Sequence, residues 1–346
     1  VGYVIFWLVM IQCTQMLHAP FPYFGGKSYV ALLVWEALGE VKHYIEPFCG
    51  SCAVLLARPH YDSTKHVETV CDKDGFIANV WRSLQFSPDE VARWADWPVN
   101  HCDLIARRLR LIREEKYLIS NLTKDDKWHD PELAGYWIWV ASACIGKVMG
   151  ISCGMPQVDH GGKGVHKLSL RHKVTYGNLK KVNEPYNMNI YKWFRELSER
   201  LRYVRVVCGD WTKVCSGNWQ DNKGIVGIFL DPPYAVSDRK QSLYHIESKT
   251  VAKKVEEWCI ERGKRKSYRI VLAGYYEEHE KLLEYGWKIK RWKAQGGYAH
   301  VSKGVTQAKK NRFRETLFFS PHCKMTHPDL FDKIYLLFFY ACPYVL

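Results

Sequence analysis

Long apolar runs, paired metal-ligand cysteines and nucleotide-loop glycines are all scarce in this chain, and each shortage removes a class of protein. The opening stretch, Val1 to Ile11, is apolar for only eleven residues and has no basic residue before it. It is too short to cross a bilayer and lacks the charged start of a secretory signal. The 12 cysteines are scattered singly, and the one Cys-x-x-Cys runs from Cys49 to Cys52. With no second pair at zinc-finger spacing, a structural zinc site is not expected, and no metal is assigned. Free thiols in a reducing cytoplasm are the expectation. Gly26-Lys27-Ser28 invites a P-loop reading, but Phe21 stands where that loop needs its first glycine. The Gly-x-Gly-x-x-Gly of a dinucleotide enzyme is missing too, since only Gly50 is glycine in the Cys49-Gly50-Ser51-Cys52 turn. No internal repeat or low-complexity segment occurs.

What is present is an ordinary folded composition with an excess of positive charge. The 346 residues suit one large or two moderate domains, with 47% hydrophobic and 25% charged residues. The formal net charge of +14 points to a polyanionic partner. Two segments concentrate it. A glycine-bearing stretch carries Lys163, Lys167, Arg171 and Lys173. A second, from Trp287 to Arg314, has nine Lys or Arg and no acid, and includes Lys303, Lys309, Lys310, Arg312 and Arg314. Basic segments of this kind suit contact with nucleic-acid phosphates. The aromatic segment with Tyr136, Trp137 and Trp139 is expected to be core.

Acids recur where strands are expected to end. Ile225 to Leu230 is an apolar run that reads as a buried strand, and Asp231-Pro232-Pro233-Tyr234 stops it, because proline gives no N–H to a ladder. Val41 to Phe48 reads as the first central strand. The Cys49 to Cys52 turn leads into an apolar helix, Ala53 to Ala57, and His66 to Cys71 is the next strand, closed by Asp72. A strand, tight turn, helix, strand and acid in this order place a helix start beside a nucleoside and the acid on ribose hydroxyls. Val204 to Cys208 ends at Gly209-Asp210-Trp211, which suits an adenine ring. Ser87-Pro88-Asp89-Glu90 reads as a helix capping box. Gly286 to Lys293 and Phe313 to Phe319 read as two antiparallel strands.

Phe24-Gly25-Gly26-Lys27, Glu46-Pro47-Phe48-Cys49-Gly50-Ser51, Asp72, Asp210 and Asp231-Pro232-Pro233-Tyr234 stand in the order found in the Dam-like, D12-class DNA adenine-N6 methyltransferases. Trp292 to Tyr298 and Asn311 to Glu315 also look like the phage and bacterial members. The resemblance covers roughly Pro20 to Cys323. It implies an α/β fold: a Rossmann-like S-adenosylmethionine-dependent methyltransferase sheet with an antiparallel terminal hairpin. A mainly helical DNA-recognition domain would be inserted at residues 83–190, between catalytic segments 20–82 and 191–323. Tails 1–19 and 324–346 would be peripheral. The resemblance further implies S-adenosylmethionine contacts from Tyr23, Lys27, Asp72 and Asp231 beside the Gly25-Gly26 turn, with Glu46, Phe48 and Gly50 on the pocket floor. The family's second turn glycine is Cys52 here; a positive φ at that position would cost a cysteine about 1 kcal/mol or more.

On this reading double-stranded DNA is the partner. Asp231 and the Pro232 carbonyl accept the two hydrogens of a flipped adenine's N6 amine, and Tyr234 stacks on the base. The alternatives are a cytosine-N4 methyltransferase, an RNA adenine methyltransferase, and a basic DNA-binding relative that has lost catalysis.

Overall fold

The structure, a computed structural model, describes residues 17–23, 27–98, 100–125, 127–143, 190–217, 224–234, 250–292 and 315–324. The chain first alternates helix and strand: α1 (Ala31–Leu38), β1 (His43–Glu46), α2 (Ala53–Leu56) and β2 (Val67–Asp72). Four helices follow, α3 (Gly75–Phe86), α4 (Pro88–Ala95), α5 (His101–Lys124) and α6 (Pro131–Ala143). Then come α7 (Ile190–Leu201), β3 (Arg205–Cys208), α8 (Thr212–Cys215), β4 (Val226–Leu230), α9 (Val251–Arg262) and β5 (Tyr268–Tyr275). The described chain closes with α10 (Tyr276–His279), a 3-10 turn (Glu280–Tyr285), β6 (Lys288–Arg291) and β7 (Glu315–Phe319).

The strands form one seven-stranded sheet in the order β3-β2-β1-β4-β5-β7-β6. The first five positions are parallel, and β7 runs antiparallel to both β5 and β6. The fold is therefore mixed α/β with a mostly parallel sheet, compatible with a Rossmann-like architecture. Both faces of the sheet are covered, which explains why β4 and β5 are buried along their whole length. Alternate residues serve opposite faces. Phe229, Val271 and Phe319 join the cluster with α1, α3 and α7, whereas Ile228, Ile270 and Phe318 join the one with α8 and α9. Each such fully buried side chain is worth roughly 1.5–3 kcal/mol against exposure.

Strand order reverses around β1: β2 and β3 lie on one side, β4 and β5 on the other. The C-terminal ends of β1 and β4 thus flank a topological switch point, where open α/β sheets bind ligands. A buried ion-pair network ties α7 back to this frame. Glu68 on β2, only 1% exposed, accepts from Arg58 at 3.2 Å and from Arg200 at 2.7 Å and 3.0 Å. Removing Glu68 would leave two guanidinium groups without their acid, a loss on the scale of 3–5 kcal/mol.

The expected strands and the antiparallel pair are found, with ends shifted by at most two residues. Trp137 and Trp139 are core, as expected. The capping box is not formed. Pro88 does open α4, but the Ser87 side chain makes no cap bond; its hydroxyl pairs with His129 Nε2 at 2.8 Å. Asp89 instead holds Arg195 through two hydrogen bonds of 2.7 and 2.9 Å. A tertiary partner thus took the N-cap hydroxyl from the local motif. Helix α9 was not anticipated, although Val255 and Cys259 at helical spacing face the core. Among the described residues no helix is long and apolar enough to cross a membrane.

Candidate active site

The turn after β1 holds two left-handed residues within three positions. Gly50 has φ of 42° and Cys52 φ of 49°, both left-handed. A Cβ on Gly50 would overlap the Tyr23 ring, so only glycine lets that ring lie on the turn. Three hydrogen bonds fix the segment from outside. Asp72 Oδ2 accepts the Gly50 N–H at 2.9 Å, Trp81 Nε1 donates to the Gly50 carbonyl at 2.8 Å, and the Cys49 N–H donates to the Cys71 carbonyl at 2.9 Å. Cys52 is fully buried and retains the left-handed geometry of the resembled glycine despite its side chain.

The carboxyls around this turn differ in role. Asp72 accepts from Gly50 and, through Oδ1, from the Asp74 N–H at 2.9 Å. Burial, and then the Asp74 charge, push its pKa up to about 7. Glu46, expected on the pocket floor, is turned inward. It is 2% exposed and accepts the Tyr44 hydroxyl at 2.9 Å and the Leu55 N–H at 3.0 Å, tying α2 to β1. Burial raises it to about 8, and the nearby Asp231 charge adds to the rise. Asp210 accepts from the Thr212 N–H and hydroxyl at 3.0 and 2.6 Å and so braces the start of α8. Trp211 is buried between Phe48, stacked at 6.2 Å, and Trp258, edge-on at 6.1 Å. Phe48 is partly exposed and presents the aromatic surface on that side.

At the end of β4 the structure assembles a charged cluster from three distant parts of the chain. Lys27 is 4% exposed, and its Nζ donates to Asp231 Oδ2 at 2.7 Å. The Tyr234 hydroxyl lies 3.4 Å from Asp231 Oδ1 and 3.5 Å from Glu315 Oε2. Glu315 Oε2 is also 4.0 Å from Lys27 Nζ. The Tyr234 ring packs on Tyr275, centroids 4.6 Å apart and tilted by 57°. Pro232 is buried and Pro233 half-buried, which keeps the Asp231 turn stiff. Beside this region a cleft of about 180 Å³ is lined by His18, Tyr23, Ser28, Ser51 and Ala53, among others. Its burial lowers the His18 pKa.

Lys27, Asp231 and Tyr234 are therefore one cluster, and Tyr23, Gly50 and Asp72 are one turn. The expected Gly25 and Gly26, and the basic residues Lys163, Lys167, Arg171, Lys173, Lys303, Lys309, Lys310, Arg312 and Arg314, lie outside the described residues. Sequence reasoning missed Trp81, Tyr275 and Glu315 as neighbours of the site. Trp81 has a faint signal, a lone indole on the helix after Asp72. Glu315 closes the Asn311 to Glu315 stretch that carries part of the resemblance, but that stretch assigns it no role; it reaches the cluster because β7 returns antiparallel beside β5.

These features define a mixed α/β protein whose polar and charged groups gather at the sheet's switch point, where open α/β sheets bind ligands. No family model matches the chain, and a search of curated proteins finds no match either.

Proposed function

We propose that the chain is a DNA adenine-N6 methyltransferase that uses S-adenosylmethionine. The observation that carries the reading is the Asp231 carboxylate, held by Lys27 on a double-proline turn directly after β4, beside the switch point. The order of motifs along the chain supports it, as does a sheet whose parallel part ends in an antiparallel pair. The residues present fit the cofactor: a left-handed glycine turn with the Tyr23 ring laid on it, an acid at the end of β2, and carboxylates to face a cationic sulfonium. Asp72, Tyr23 and the Cys49 to Cys52 turn would hold it. It supplies a methyl group already activated on sulfur.

The chain's own task is then positioning. The N6 amine of adenine is conjugated into its ring and is a poor nucleophile. Asp231 and the Pro232 carbonyl accept its two hydrogens and turn the nitrogen lone pair toward the methyl group. Tyr234, read as the aromatic partner on which a base extruded from the duplex stacks, packs on Tyr275 in this structure. The basic segments, with net charge +14 over the chain, supply phosphate contacts on double-stranded DNA in the cytoplasm.

Cys52 in place of glycine does not argue for a dead relative. The left-handed penalty is about 1–2 kcal/mol. Even if all of it fell on cofactor binding, the loss would be about 5–30-fold, enough to weaken an enzyme and too little to abolish it. The test is direct: purified protein, tritiated S-adenosylmethionine and duplex DNA, with nucleoside products resolved by mass spectrometry. N6-methyladenine is expected. N4-methylcytosine would move the target to the other exocyclic amine, and DNA binding with no cofactor binding would remove the enzyme reading.

A further inference from the structure

We infer that Glu315 is a positioning residue that controls Asp231 by sharing Lys27 with it; the inference rests on the reading of Asp231 as the acceptor of the target amine. The cluster holds one ammonium, one phenol and two carboxylates, and all but Asp231, at 21% side-chain exposure, are nearly buried. Lys27 is committed to Asp231 at 2.7 Å and stands 4.0 Å from Glu315. The Tyr234 hydroxyl is nearly equidistant from both acids, at 3.4 and 3.5 Å, each long for an O–H···O bond. Lys27 and Tyr234 thus stand between two alternative acceptors.

That arrangement answers a difficulty in the proposed chemistry. A full positive charge on Oδ2 draws electron density from the carboxylate that must polarise an amine. Moving Lys27 away from Asp231 breaks a buried ion pair, which costs several kcal/mol when no second acid takes it up. Glu315 offers the alternative at hand. A rotation of the last bonds of the lysine side chain moves Nζ from Asp231 toward Glu315, and the phenol follows. Asp231 then accepts from the amine while the buried charge stays compensated.

The backbone holds Glu315 for this role. It opens β7 opposite Tyr275, the residue that packs on Tyr234, and its carbonyl accepts the Trp292 N–H at 3.2 Å. The backbone that carries the second acid is therefore fixed in the sheet, as that of Asp231 is fixed by its prolines.

A double-mutant cycle on Lys27→Met and Glu315→Gln tests this, read in two ways. In single-turnover methylation, Glu315→Gln should lose tenfold or more in rate with cofactor and DNA affinities within twofold of wild type. Glu315→Asp should recover part of the rate. In the Lys27→Met background the Glu315→Gln change should have little further effect. Denaturant unfolding of the same four proteins requires no turnover and should show losses that fail to add. Additive effects in either readout, or a Glu315→Gln loss that falls on affinity with the rate intact, would overturn the inference. A wild-type protein that binds cofactor and transfers no methyl group would count against the functional reading instead, and the unfolding cycle alone would then decide whether Glu315 shares Lys27.

Discussion

Asp72 Oδ2 accepts the Gly50 amide at 2.9 Å, so the end of β2 and the turn after β1 are one hydrogen-bonded unit. Any ligand that meets the turn also meets the acid. Asp72→Ala should therefore act twice. It removes the proposed ribose acceptor, weakening S-adenosylmethionine by roughly 1.5–3 kcal/mol, and it leaves the Gly50 amide without its acceptor. Calorimetry with S-adenosylmethionine reads the first effect and urea unfolding the second. Unchanged cofactor affinity alongside lowered stability would make Asp72 a brace for the turn and nothing more.

The left-handed turn itself can be probed from both of its positive-φ residues. Gly50→Ala adds a side chain under the Tyr23 ring in a conformation L-residues disfavour. A loss of roughly 2–4 kcal/mol is expected from the two penalties together. Cys52→Gly relieves strain and gives up a small buried side chain, so its stability should stay within about 1 kcal/mol of wild type. Cys52→Val, β-branched at the same φ, should be clearly worse. Chemical denaturation of the three variants compares them, and a stable Gly50→Ala protein would contradict the close packing of Tyr23.

The buried carboxyls set a pH dependence with a definite sign. Glu46 is raised to about 8 and Asp72 to about 7, above the roughly 4 of unfolded carboxyls. Across the window from about pH 4 to pH 8 these two groups hold more protons in the folded protein than in the unfolded chain, so their contribution to stability falls as pH rises. Glu46→Gln keeps an acceptor for Tyr44 and Leu55 without a charge. It should flatten the fall above neutral pH, and Asp72→Asn should do so at lower pH. Urea midpoints measured across this window check it; a slope identical to wild type in both variants would assign the dependence to other groups.

Asp231→Ala removes one acceptor for the target amine and takes from the buried Lys27 its 2.7 Å partner. A loss of roughly 10²–10³ in single-turnover rate is expected, the scale of losing one preorganised electrostatic partner. Tyr234→Phe keeps the ring on Tyr275 and deletes the hydroxyl between the two acids, for a loss of roughly 2–10-fold. Tyr234→Ala also removes the aromatic face and should be worse by a further roughly 1–3 kcal/mol. Wild-type rates in Asp231→Ala, or equal losses in the two Tyr234 variants, would refute these roles.

Neutralising Lys309, Lys310 and Arg312 together should lower DNA affinity and flatten the dependence of log affinity on log salt by up to about 3 units. Fluorescence anisotropy over a salt series measures it. A wild-type slope would place this segment away from the phosphates.

The sequence alone determined the strands and several of their ends. The apolar run before Asp231, stopped by two prolines that cannot extend a ladder, reads as β4 without help. So do the small-residue turn after β1 and the acid at the end of β2, because turn chemistry and strand periodicity are local properties. Local rules also warned of Cys52, whose φ of 49° is the left-handed value a glycine position would have. Tertiary structure decided the partners. Ser87 had the right neighbours for a cap and still gave its hydroxyl to His129, since a cap bond of about 1 kcal/mol is easily displaced by a packed alternative. Glu46 faces inward because the register of β1 and the start of α2 put Tyr44 and Leu55 beside it. Lys27 meets Asp231 across 204 positions, and Glu315 joins them through an antiparallel return of the sheet. Spacing along a chain carries no record of such meetings; they are fixed by the strand order and by the cost of leaving a buried charge alone.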